Sequence, residues 1–103
     1  KLMIRMPDFV TDNIVDQAKI EVVNKKGIEL IGKVQFEEIT EGKCVQIMHV
    51  GPYSTEPETL RQTRNFMEEN ELIENGRHHE IYISDPRKTD SLKMKTILRQ
   101  AVF

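Results

Sequence analysis

The run Arg77-His78-His79-Glu80-Ile81-Tyr82-Ile83-Ser84-Asp85-Pro86-Arg87-Lys88-Thr89 holds a single acidic side chain, Glu80, inside its apolar, β-prone centre. A strand alternates its side chains between two faces, so Glu80 and Tyr82 share one face and Ile81 and Ile83 the other. With the isoleucines turned to the core, a carboxylate and a phenol stand side by side on the opposite face. A covered carboxylate beside an aromatic ring suits a cationic or polarised small molecule, because the ring face attracts positive charge and burial tunes the acid. Glu80 is therefore the leading candidate. It can pair with a ligand cation or, in a hydrolytic setting, position water or act as a general base. The competing reading is a solvent-facing glutamate on an exposed sheet.

Three further residues join it. Tyr82 can stack on a planar ligand and donate from its hydroxyl, or serve only as a cross-strand packing residue. Tyr53 follows Gly51-Pro52 at a strand end, where it either rims a pocket or packs under the turn. His49 shares a strand face with Val45 and Ile47, as a ligand contact or a hydrogen-bonding residue at the core edge. A metal site is not expected from His49, His78, His79 and Cys44. Adjacent His78 and His79 point to opposite faces of a strand, and no metal-ligand spacing ties them to Cys44. Asp85-Pro86-Arg87-Lys88-Thr89 reads as a turn in which Asp85 binds nearby backbone N–H groups. There is no Gly-rich phosphate loop, Cys–His dyad or helix-turn-helix pattern, and no cofactor is expected.

Composition bounds the rest. The 103 residues allow one domain with a modest core. Hydrophobic residues at 38% and charged residues at 31% describe a folded chain rather than a disordered one. A net charge of −2 gives no drive toward nucleic acid, so direct nucleic-acid binding is not expected. No apolar run approaches the roughly 20 residues of a membrane span. The lone Cys44 fits a reducing, cytoplasmic setting.

These side chains need a scaffold. Leu2, Ile4 and Met6 alternate, and Pro7 closes a first strand. Thr11-Asp12-Asn13 supplies N-cap oxygens for a helix whose inward face is Ile14, Val15, Ala18, Val22 and Val23. Lys25-Lys26-Gly27 ends it. Residues 34–39 and 44–50 read as a hairpin around Thr40-Glu41-Gly42-Lys43. Thr55-Glu56-Pro57-Glu58 is a capping box opening a helix that runs to about Glu71 and buries Leu60, Thr63, Phe66 and Met67. Strands at 78–84 and 95–103 follow. The expected fold is α+β: one compact domain with an antiparallel sheet and two helices on one face, Glu80 and Tyr82 lying on the helix-free face. The chain opens at Lys1 within a strand-like run, which predicts a fragment of a larger protein.

His49-Val50-Gly51-Pro52-Tyr53, the capped helix, His79-Glu80-Ile81-Tyr82-Ile83-Ser84-Asp85-Pro86-Arg87-Lys88-Thr89 and Lys95-Thr96-Ile97-Leu98-Arg99 together resemble the GyrI-like small-molecule-binding domain family, nearest to its stand-alone bacterial and archaeal members. The resemblance implies two strand-helix-strand-strand modules with a ligand pocket between them. On that pattern residues 34–103 form one complete module. Residues 1–33 form the last strand and linking helix of a preceding one. It also implies a homodimer, or a missing N-terminal module, to complete the pocket. The chain departs from the family in having no tryptophan and in reading Ser91-Leu92 where relatives carry Pro-Glu.

Three functions compete. The first is binding of amphipathic, aromatic or cationic compounds, for detoxification or sequestration, through Glu80, Tyr82, Tyr53 and His49. The second is hydrolysis of cyclopropane-bearing alkylating compounds with Glu80 as the catalytic group. The third is protein interaction, as in the family's gyrase-inhibiting namesake.

Overall fold

A computed structural model describes all of residues 1–103. The chain divides into two compact units, residues 1–39 and 40–103. In the first unit, helix α1 (Asp12–Lys26) starts where its capping chemistry dictates. Thr11 Oγ1 accepts from the Ile14 N–H at 3.4 Å, Asp12 lies at the positive pole, and Lys25 and Lys26 lie at the negative one. Gly27 at φ +60° closes the helix and donates its N–H to the Val23 carbonyl. The apolar face expected on α1 finds no core, and none of its residues is buried. A unit of this size cannot enclose one. A short 3-10 turn follows over Glu29–Lys33, and Lys19 Nζ reaches back to the Val34 carbonyl at 2.7 Å.

The second unit carries strand β1 (Cys44–Val50), a 3-10 turn (Tyr53–Thr55), helix α2 (Glu56–Glu69), strand β2 (His79–Tyr82), a 3-10 turn (Ser91–Lys93) and strand β3 (Lys95–Ala101). The sheet is antiparallel with order β1-β3-β2, giving the expected α+β class. β3 alternates strictly. Thr96, Leu98 and Gln100 are buried, while Lys95, Ile97 and Arg99 lie on the other face. α2 packs chiefly on β1, and Met67, Met94, Leu98 and Val102 make the apolar core. α2 ends when Asn70 Nδ2 bonds the Phe66 carbonyl and Glu71 takes φ +54°.

Several expectations need correction. Residues 2–6 and 34–39 form no strand, and no hairpin precedes β1, because neither run finds a ladder partner and an unpaired strand is not stable alone. Thr55 does not close a capping box; its hydroxyl donates to the Pro52 carbonyl instead, and Glu58 pairs with Arg61. Phe66 is half exposed at 50% rather than buried. The largest correction concerns the sheet face. Glu80 and Tyr82 do share one side, but it is the side that carries α2. Glu80 stands opposite Leu98, and Tyr82 stands opposite Thr96, which in turn stands opposite His49. Ile81 pairs with Ile97, which pairs in turn with Met48, on the other face. Alternation sets which residues travel together; the register against β3 sets which way they point.

Candidate functional site

Because α2 covers mainly β1, the β2 end of the same sheet face stays accessible beside the first turn of α2. Two elements meet there. β2 contributes Glu80 and Tyr82, and the Tyr82 hydroxyl donates to Glu80 Oε2 at 3.1 Å. The segment after β1 contributes Tyr53 and Glu56. The 3-10 turn Tyr53–Thr55 runs directly into α2, so residues three apart stack on one side and Tyr53 rises over Glu56. The Tyr53 and Tyr82 rings meet edge to face, centroids 5.7 Å apart at 67°.

Glu56 is the residue that pattern reading missed. It was absorbed into an expected cap, yet it is only 7% exposed and its Oε1 finds no donor in the protein. Burial, a hydrogen bond with the Glu80 carboxyl and the charge on Glu80 push its carboxyl from the usual 4.5 up to about 7. The positive pole of α2 favours the anion, but only by about 0.3–1 kcal/mol, too little to win. The Glu56 carboxyl therefore keeps its proton well above the ordinary glutamate range and titrates near neutrality. Tyr82 answers to the same charge: its bond to Glu80, then burial, hold the phenol above its usual range. The readable signal was the i, i+3 spacing of Tyr53 and Glu56 across a turn.

The structure thus brings together Glu80, Tyr82 and Tyr53. His49 is placed differently, 3% exposed beneath the turn, with both ring nitrogens held by protein groups. His79 lies on the opposite face, where Glu41 bridges it at 2.5 Å and Arg99 at 3.0 Å. Burial alone raises the Glu41 carboxyl, but the bonds from Arg99 and His79 outweigh it and hold the group below the usual range. His78 lines a cleft of about 110 Å³ between α2 and β3 with Leu60, Thr63, Met67 and Leu98, to which none of the four site residues contributes. Asp85 caps its own turn through the Arg87 N–H at 2.9 Å and holds the Arg87 guanidinium. No three His, Cys, Asp or Glu side chains gather as a metal would require, and no helix is long and apolar enough to cross a membrane.

Residues 4–101 match the GyrI-like small molecule binding domain, and the chain belongs to that family. Three solved structures from Listeria innocua are similar to it. An uncharacterized conserved protein shares 45% identity at a TM-score of 0.90, covering 96% of this chain and 50% of its own. A hydrolase shares 43% at 0.86, covering 96% and 52%. A further hydrolase, encoded by lin2189, shares 44% at 0.85, covering 96% and 50%. The chain spans about half the length of these structures. No curated protein matches it.

Proposed function

We propose that this chain binds amphipathic, aromatic or cationic small compounds at the Glu56–Glu80 pair and serves to sequester or detoxify them. The observation that carries this reading is the Glu80 carboxylate, bonded by Tyr82 and backed by an edge-to-face tyrosine pair. A planar cation placed over Tyr53 or Tyr82 finds a π face and one fixed negative charge within reach. Membership of a small-molecule-binding family supports it. The test is fluorescence titration of the full chain with a planar aromatic monocation such as ethidium. Saturable binding that Glu80→Gln weakens tenfold or more supports the reading, and binding indifferent to Glu80→Gln ends it.

The second reading is hydrolysis. It is favoured by two similar structures named hydrolases and by the Glu56 carboxyl, which holds its proton up to about pH 7 and so can act as an acid. In the opening of a cyclopropane by water, Glu80 takes a proton from the water as its oxygen bonds to carbon. The ring C–C bond breaks, and the neutral Glu56 returns a proton to the departing carbon. Incubation with a cyclopropane-bearing alkylator decides it. A product heavier by one water, absent with Glu80→Gln, supports hydrolysis, and unchanged substrate at high protein concentration rules it out.

A further inference from the structure

We infer that His49 is the positioning residue of the site: its buried ring clamps the turn at 51–55 to α2 and so fixes where Glu56 and Tyr53 stand. Its role for ligands rests on the reading of Glu56 and Glu80 as the binding carboxyls.

The ring makes three bonds, all to the segment that carries the site. Nε2 lies 2.9 Å from the Pro52 carbonyl and 3.1 Å from Thr55 Oγ1, and Nδ1 lies 2.7 Å from Thr59 Oγ1. A carbonyl oxygen only accepts, so Nε2 carries the proton, and in the neutral ring Nδ1 accepts from the Thr59 hydroxyl. Thr55 Oγ1 donates to the same Pro52 carbonyl at 2.9 Å, closing a small ring of bonds. Pro52 precedes Tyr53, Thr55 precedes Glu56, and Thr59 lies one turn further along α2. One imidazole therefore ties together the residue before Tyr53, the residue before Glu56 and the helix that follows.

Two further observations point the same way. Gly51 has φ +132°, a backbone conformation that favours glycine, and a Cβ there would lie a tight 3.3 Å from Thr55 Oγ1 and 3.7 Å from His49 Nε2, so the backbone passes close against this cluster. Across the sheet, His49, Thr96 and Tyr82 form one row, with Thr96 only 1% exposed between them. The same row that seats the clamp seats the phenol that holds Glu80. His49 itself has no nitrogen left for a ligand.

The test follows Glu56 directly and needs no ligand. Carboxyl-carbon NMR titration of the full chain, with the Glu56 signal assigned by its loss in Glu56→Gln, is run on wild type, His49→Gln, His49→Ala and Thr59→Val. Glu80, Tyr82 and Tyr53 are the titratable groups that face Glu56, and all remain in these variants. Loss of the clamp opens the first turn of α2 to water, so the Glu56 midpoint drops by about one pH unit or more in His49→Ala and Thr59→Val. His49→Gln restores a donor to the Pro52 carbonyl and keeps most of the wild-type midpoint. An unchanged midpoint in both His49→Ala and Thr59→Val overturns the inference. Thr59→Val keeps the branched shape while removing the hydroxyl, and alone decides the matter if His49→Ala does not fold. Failure of ethidium binding in wild type would overturn the proposed function and leave this result standing.

Discussion

The buried carboxyl of Glu56, at the first residue of α2, lies beside the carboxyl of Glu80 on β2, which helps to push its acidity up to about 7. Ionising Glu56 is therefore disfavoured until the pH nears about 7. That displacement has consequences for affinity and for stability.

Affinity for a monocation is expected to rise several-fold between pH 6 and pH 8. Glu56, its acidity displaced to about 7, ionises in that window and adds a second negative charge beside Glu80. Glu56→Gln removes the titration, and its binding curve stays flat over the same range. Fluorescence titration with ethidium at several pH values checks this; a sloping curve in Glu56→Gln contradicts it.

Stability runs the opposite way. The folded state keeps the Glu56 proton up to about pH 7, whereas the unfolded chain releases it near 4.5, so the protein loses stability as pH rises through that window. Replacing Glu56 with Gln is expected to stabilise the chain at pH 8 by up to about 3 kcal/mol, and to change little at pH 4. Urea denaturation at the two pH values measures the difference.

Tyr82→Phe deletes the hydroxyl that donates to Glu80 while leaving the ring. A hydrogen bond to a charged group is worth about 1.5–3 kcal/mol, so ligand affinity falls by roughly 10- to 150-fold if Glu80 is oriented by that bond. A companion measurement is ultraviolet titration of the tyrosines. The Tyr82 phenol, held above its usual range by Glu80, moves down in Glu80→Gln.

Glu41→Gln breaks the bridge joining His79 and Arg99 on the other sheet face. The Glu41 carboxyl is held below its usual range, so its contribution is present above the ordinary glutamate range and vanishes as pH falls through the lowered value. A partly exposed pair of this kind contributes about 1 kcal/mol. Thermal melting at pH 7 is expected to show a loss of that order, shrinking toward zero in acid.

Much of this architecture is legible from residue types, and its gaps have physical causes. Thr11, Lys25, Lys26 and Gly27 mark the ends of α1 because capping is local chemistry. The companionship of Glu80 and Tyr82 follows from strand geometry alone. Their direction does not, since it depends on pairing with Thr96 and Leu98 far along the chain. Glu56 was hidden by its own suitability as a helix starter; an acid in a first turn normally faces water, and only the nearness of β2 buries it. Residues 2–6 and 34–39 have the alternation of strands, but alternation cannot supply a neighbour to pair with.

The order β1-β3-β2 places the last of the three strands between the other two. β1 and β2 do not pair with each other; each finds its ladder partner only in β3. No part of the sheet can therefore assemble on an emerging polypeptide until Lys95–Ala101 has been made. Until then α2 has no finished surface to dock on, and Glu56 and Glu80 remain strangers. Pairings so distant along the chain close slowly, which puts this module among late and cooperative folders. A chain halted before β3 would expose its helix, its two lone strands and both acids to water at once.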